Sequence, residues 1–447
     1  MVMTTFSGCI EDDTTDDRFE YYGGESGNIV NKDGHWYYLE GQGMETRLNA
    51  KIDSITTIDN ISTNPLQSGM KNILSITATG NGVLVLPQHI FPVIDGKLQN
   101  RSIVQFQDST DLEIMVAPDL NESNSQSSCI ILAYGNEKSS FPFAIEEGDE
   151  PVVSGQFWYD LEVLVTDDVE GYNGRYVGQG SPQLERAASY FRSLFESFGL
   201  EAEIQRYPAS GDNSEMVVNV VAYKWGMDRD NWIVLGGHFD VAPPPSSMGT
   251  WEGAYDNTAG TCAVISQAKG WSQFETNKTI VFCLWSSEEE GLHGSSAFVD
   301  NLPSGVTVNA YINHDMIGLA YPSPGKTFHG WAFPDDDEEL KEQSHFLWYM
   351  NHTIHDVLGL PRDPELFLIE EGGRTTSDHR SFFSQGIPSV YYSGRPVSHY
   401  HDIYDDLEHL TEDAGGVDLL IAGFTTSLWI TFFTIMFLDN DGFIHPQ

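Results

Sequence analysis

Cysteine is scarce, with four in 447 residues and no Cys-x-x-Cys pair, so neither a disulfide framework nor a thiolate zinc site is indicated. Cys129, Cys262 and Cys283 lie among apolar or small residues and are expected to be buried thiols. Positive charge is also short: 22 Lys and Arg stand against 66 Asp and Glu, for a formal net charge of −44. Such a surface repels phosphate backbones and anionic lipid, which excludes nucleic acid as a partner and leaves a solvated acidic exterior. Neither Gly-x-Ser-x-Gly nor His-Glu-x-x-His occurs, so a serine hydrolase or a single-zinc helical protease finds no support. No repeat period is visible.

What is present describes a globular chain: 40% hydrophobic and 12% aromatic residues over a length that suits two domains. Residues 1–17 form a lipobox-like segment, Thr5-Phe6-Ser7-Gly8-Cys9, and an acidic linker. Too few residues precede Cys9 for a signal peptide. The expectation is a truncated start and an exported protein lipid-anchored at Cys9 on the cell surface, with a cytoplasmic protein as the alternative. Residues 18–150 read as a β-rich domain of unassigned role, with short apolar runs such as Val83-Leu84-Val85-Leu86 between Gly, Asn, Asp and Ser clusters. The acidic run 146–151 reads as a linker.

Residues 155–438 then alternate between helix and strand. Residues 181–198 predict an amphipathic helix, with Pro182 at its start and Gly199 past its end. Strands are expected over 232–235, 279–285, 307–312 and 387–392, and a helix over 257–268. The apolar stretch 417–438 is long enough to span a bilayer, but Asp418, five Ser or Thr and no flanking basic cluster favour a buried helix over a transmembrane span. The expected fold class is α/β, a mixed, mostly parallel sheet with helices on both faces, preceded by the smaller β-rich domain. In such sheets ligands gather beyond the carboxyl ends of the strands.

Those ends carry the chemistry. The 232–235 strand runs into Gly236-Gly237-His238-Phe239-Asp240; if it continues, Asp240 shares a face with His238 and can accept a hydrogen bond from its distal nitrogen. Asp256 precedes a helix, where a bland reading makes it or Asn257 a cap. Ser286-Ser287-Glu288-Glu289-Glu290 sets three acids side by side, which repel unless a cation or proton intervenes. Asn313-His314-Asp315-Met316 ends another strand, and Tyr400-His401-Asp402-Ile403-Tyr404-Asp405 adds a histidine. Imidazole and carboxylate in this mixture suit zinc.

In order, His-x-Asp, Gly-x-x-Asp-Asn-x-x-Gly, Glu-Glu-x-Gly-Leu-x-Gly-Ser, Asp-Met, Ser-Asp-His and Tyr-His-x-x-x-Asp resemble the two-zinc aminopeptidases, a family related to glutamate carboxypeptidase II and glutaminyl cyclase. The resemblance runs from Phe157 to Leu438 and includes the region 171–199. It implies a zinc exopeptidase-like fold, two zinc ions per chain and peptide substrates. It also implies that Asp256 bridges the metals, with Glu289 and His401 completing one ligand set and His238 and Asp315 the other. Glu288 would be the general base taking a proton from the metal-bridging water, Asp240 would orient His238, and Asp378 and His379 would shape the substrate pocket. His314 and His399 adjoin ligands, but the motif register favours Asp315 and His401. Two metals about 3.5–4 Å apart would polarise a scissile carbonyl.

Residues 320–327 loosely match a phosphate loop, but two prolines remove the amides that cradle phosphate. Asp439-Asn440-Asp441-Gly442 suggests a calcium loop that starts on Phe437 instead of an acid. A glutaminyl cyclase, a carboxypeptidase or a non-catalytic binding protein on the same scaffold are the alternatives to an aminopeptidase.

Overall fold

The computed structural model describes residues 18–19, 28–32, 35–39, 45–49, 51–57, 65–120, 127–134, 137–153, 157–165, 174–176, 182–209, 212–243, 252–319, 328–332, 349–350, 352–360, 367–370, 377–395 and 397–440. Cys9, the phosphate-loop-like segment 320–327 and the end of the calcium-loop-like segment fall outside them; the side chain of Cys129 is likewise not described. The chain divides into two compact units: Met1–Val152 with Asn351–Leu360 and Asn440–Gln447, and Val153–Met350 with Pro361–Asp439.

The N-terminal unit is built from β-strands. One five-stranded sheet orders Lys97–Leu98, Ile90–Ile94, Thr110–Val116, Lys71–Thr79 and Lys51–Thr57; a second orders Ile103–Gln107, Asn81–Val85, Ser127–Tyr134, Glu137–Glu147 and Leu66–Ser68. Along Lys71–Thr79 every second residue is buried, as expected of a strand with one face on a core. Both sheets contribute to one apolar cluster, with Leu74, Ile76 and Ile114 from the first and Leu84, Phe106 and Phe143 from the second. The expected acidic linker begins later than its composition suggests. Glu146 and Glu147 still belong to a strand, paired with Gln67 and Ser68, because the ladder, not the charge, decides where the strand stops.

The second unit holds an eight-stranded sheet. Its strands are β1 (Glu201–Ala209), β2 (Asp212–Lys224), β3 (Asp228–His238), β4 (Lys278–Trp285), β5 (Thr307–His314), β6 (Phe328–Ala332), β7 (Phe367–Glu370) and β8 (Ser389–Ser393), in the order β1-β2-β4-β3-β5-β8-β6-β7. The central β4, β3, β5 and β8 run parallel, while β2 joins β4, and β6 joins β8, antiparallel. The sheet is therefore mixed and mostly parallel.

Helices are α1 (Phe157–Val165), α2 (Pro182–Ser197), α3 (Ala259–Trp271), α4 (His293–Asp300), α5 (His379–Phe383), α6 (Leu407–Ala414) and α7 (Val417–Asp439). Trp232 and Val234 of β3 pack with Phe298 and Val299 of α4 and Phe382 of α5. The alternate residues Ile233 and Leu235 are equally buried, so β3 is covered on both faces, as its unbroken apolar run requires. Cys262 and Cys283 are buried, and neither is joined in a disulfide.

Helix α7 has a mean hydropathy of 1.8 over its most apolar window, and 78% of that window is buried. It packs by specific contacts: the Gln267 amide donates to the Leu428 carbonyl at 2.6 Å, and Trp271 stacks on Phe432 at 4.8 Å.

Candidate metal centre

Three of the five candidate ligands, and Glu288, lie at or just past the carboxyl ends of parallel strands. His238 is the last residue of β3, Glu288 and Glu289 follow β4, and Asp315 follows β5. Asp256 sits on a turn ahead of α3 that is not helical at Asp256 or Asn257 (φ/ψ −113/90 and −136/46), and the Asp256–Asn257 peptide is cis. The helix starts at Ala259, two residues later than its sequence suggests. Glycine is required nearby: a β-carbon on Gly237 would stand 2.6 Å from the His314 carbonyl. Ser287, Met316 and His401, each a ligand or close to one in sequence, hold φ between 55° and 59°. Left-handed backbone at non-glycine residues is strained and tends to collect at functional sites.

The two oxygens of Asp256 face different partners. Oδ1 lies 3.2 Å from His238 Nε2, and Oδ2 lies 3.2 Å from His401 Nε2. On the first side, His238 Nε2 is 3.6 Å from Asp315 Oδ1; on the second, His401 Nε2 is 3.1 Å from Glu289 Oε2. Ligand atoms of His238, Glu288 and Asp315 gather within 4.8 Å of one another, as do those of His238, Asp256 and Glu289.

A web of buried hydrogen bonds holds these groups. Asp240 meets the distal nitrogen of His238 with both its backbone and its side chain. The His238 Nδ1 contact is the Asp240 backbone carbonyl at 3.1 Å, with the carboxylate at 3.6 Å. That carboxylate also accepts the amides of Glu288 and Glu289, both at 3.3 Å, so Asp240 ties the β3 end to the acidic loop. Asp315 is oriented by a relay. Trp285 Nε1 donates to Tyr311 OH at 2.8 Å, Tyr311 to Asn313 Oδ1 at 2.7 Å, Asn313 Nδ2 to Ser377 Oγ at 2.7 Å, and Ser377 Oγ to Asp315 Oδ2 at 2.6 Å. The Asn257 side chain donates to the His314 carbonyl and accepts from Gly260 and Met316, locking the turn to the end of β5.

The charges in this cluster are unresolved by the protein alone. Burial, reinforced by Asp378, Asp315 and Glu289 against the pull of His238, holds Glu288 well above the usual carboxylate range. Burial and Asp256 push Glu289 up to about 7. Burial opposes charge on His401, yet Asp256 and Glu289 lift it to about 10; Asp256, although buried, is drawn down to about 2 by His238 and His401. Asp315 Oδ1 and Glu289 Oε1 are buried with no hydrogen-bond partner among the described residues. Buried, unpartnered carboxylate oxygens grouped with imidazole nitrogens are what a divalent cation such as zinc satisfies. The residues fit the group: His238, Asp256 and Asp315 would hold one ion, and Asp256, Glu289 and His401 another.

The two neighbouring histidines are engaged elsewhere: His314 Nε2 meets Thr431 Oγ1 at 3.0 Å, and His399 Nε2 lies 3.0 Å from Asp413. Asp378 and His379 are buried, His379 stacked 5.0 Å from Tyr391; in that segment Ser377 donates to a candidate ligand, Asp315. Sequence reasoning missed the roles of Trp285, Tyr311, Asn313 and Ser377. Tyr311 and Asn313 carried a signal, being two polar-tipped residues on one face of a strand otherwise apolar. It also missed the Tyr400 ring, stacked on His401 at 3.7 Å. Although half-exposed, its phenol is pushed above its ordinary range by partial burial and by the carboxylates of Asp256 and Glu289.

The fold is that of the zinc exopeptidases: 64% of this chain superposes on 95% of a zinc aminopeptidase from Bacillus subtilis, with TM-score 0.50 at 15% identity. Residues 219–417 match the model of Peptidase family M28. Leupeptin-inactivating enzyme 1 of Streptomyces exfoliatus is 30% identical over 220 residues, 48% of this chain and 44% of that protein. Aminopeptidase Y of Saccharomyces cerevisiae is 25% identical over 304 residues, 62% of this chain and 52% of that protein. The chain thus spans about half the length of these curated relatives.

Proposed function

We propose that the protein is a two-zinc exopeptidase that releases N-terminal residues from peptides. The observation that carries this reading is the Asp256 carboxylate, each of whose oxygens lies 3.2 Å from a different imidazole, with a further carboxylate on either side. When bound, the metal pair supplies Lewis acidity and a water acidic enough to ionise near neutral pH. The remaining work falls to side chains. Glu288, grouped with His238 and Asp315 but outside both ligand sets, takes the proton of the attacking water and returns it to the leaving amine. Its burial among carboxylates, which raises its proton affinity, suits both halves of that transfer. Asp240 holds the Glu288 and Glu289 amides and so fixes the base beside a ligand. Tyr400, protonated and stacked on His401, presents a phenol able to donate to a developing oxyanion. The preference for N-termini follows the names of the M28 relatives and the affinity of carboxylates for a free α-amine.

Metal analysis combined with hydrolysis of aminoacyl-p-nitroanilides tests the proposal. Two zinc ions with amine release are expected. Two zinc ions without hydrolysis would favour a binding protein, and pyroglutamate formation from N-terminal glutamine would favour a cyclase.

A further inference from the structure

Two buried charged residues outside the ligand sets grip the turn that carries Asp256. Arg175 is 1% exposed. Its Nε donates to the Phe239 carbonyl at 2.8 Å, Nη1 to the Leu164 carbonyl at 3.2 Å, and Nη2 to Thr258 Oγ1 at 2.6 Å and the Glu252 carbonyl at 3.4 Å. Its own carbonyl accepts from Val241 N at 3.0 Å. Asp405 is 7% exposed; its carboxylate accepts Tyr255 N at 2.7 Å and Asp256 N at 3.0 Å, and its carbonyl accepts Ala254 N. The turn 252–258 is therefore bound on one side to the chain just past His238, and on the other to the loop that bears His401.

This grip is needed because the turn has no ladder or helix of its own to fix it. Asp256 and Asn257 are non-helical, and Gly253 before them is left-handed (φ 58°). A carboxylate can bridge only if its two oxygens stay aligned with both sets at once. We infer that Arg175 and Asp405 are positioning residues that hold the Asp256 carboxylate between the two ligand sets, Arg175 securing the His238 side and Asp405 the His401 side; this rests on the two-metal reading. Arginine suits its task because a rigid fork of five donors can span several carbonyls at once. An aspartate suits the other because its carboxylate accepts two consecutive amides.

The test is titration of metal-free, full-length protein with Co2+, followed by calorimetry and visible absorption, alongside the melting temperature of each metal-free protein. Wild type is expected to take two ions. Asp405→Asn, whose amide can accept only one of the two backbone donors, is expected to bind one ion as wild type does and the other at least about tenfold more weakly. Arg175→Lys keeps the charge but not the fork and should also weaken one ion by about tenfold or more. Combining Asp405→Asn with His401→Ala should bind metal as His401→Ala alone does, because both act on one side. If Asp405→Asn or Arg175→Lys fails to fold, Thr258→Val, which removes the hydroxyl that receives Arg175, takes its place with the same one-ion loss expected. Variants that bind both ions with wild-type affinity overturn the inference, as does an equal loss at both sites that tracks the fall in melting temperature. Wild-type protein that takes fewer than two ions overturns the two-metal reading itself.

Discussion

Ser377→Ala interrogates the relay that aims Asp315. The Ser377 hydroxyl is 1% exposed and joins Asn313 Nδ2 at 2.7 Å to Asp315 Oδ2 at 2.6 Å. Its removal deletes a hydrogen bond to a charged group, worth about 1.5–3 kcal/mol, and strands a buried amide donor at roughly 1–3 kcal/mol. The two losses share one atom and do not add fully, so about 3 kcal/mol is the expected destabilisation of the metal-free protein. The same change frees Asp315 to rotate, and loss of such an outer partner weakens metal affinity by about 10–100-fold. Chemical denaturation of metal-free protein reads the first quantity and zinc calorimetry the second. Ser377→Thr, which keeps the hydroxyl, should restore most of both. Wild-type zinc affinity in Ser377→Ala would show that Asp315 needs no relay.

Glu288→Gln should keep its metal while turnover falls by roughly 10²–10⁴-fold, the usual contribution of a general base; comparable turnover with full metal content would remove Glu288 from the mechanism. Raising KCl from 0.1 to 1 M shortens the screening length from about 10 Å to about 3 Å, so a chain of net charge −44 should melt at higher temperature in the concentrated salt, and a lower melting temperature there would contradict self-repulsion. Burial lowers His89 to about 4 from 6.5, so its contribution is complete above pH 6.5 and is lost as the pH falls towards 4, where the unfolded chain binds the extra proton. After a discount for partial exposure this amounts to about 2 kcal/mol, and His89→Gln should show correspondingly less acid destabilisation of its unit in pH-dependent melts.

The sheet and the five candidate ligands were legible because each rests on a local pattern. Apolar runs such as Trp232-Ile233-Val234-Leu235 mark buried strands, and a polar residue at each strand end is visible without knowing where the strands meet. The order β1-β2-β4-β3-β5-β8-β6-β7 was not legible, since register between distant strands leaves no local trace. The same limit explains the supporting residues. Arg175 meets Thr258 across 83 positions, Asp405 meets Asp256 across 149, and Asn313 meets Ser377 across 64. The His-x-Asp spacing pointed to a neighbour of His238: the Asp240 carboxylate lies 3.6 Å from Nδ1, with the Asp240 carbonyl nearer at 3.1 Å.

Helix α7 has a consequence for the order in which this protein can be made. It is synthesised after α3, β4 and β5, yet it supplies Phe432 to the Trp271 stack and Thr431 to His314, and Asp439 binds the amides of Asn277 and Lys278 at the entry to β4. Until Asp439 is synthesised, α3 and the start of β4 lack their covering partner and expose apolar surface. This unit therefore completes its core only once α7 has been translated, and a nascent chain stalled within α7 would be prone to aggregate and bound by chaperones rather than stepwise folded.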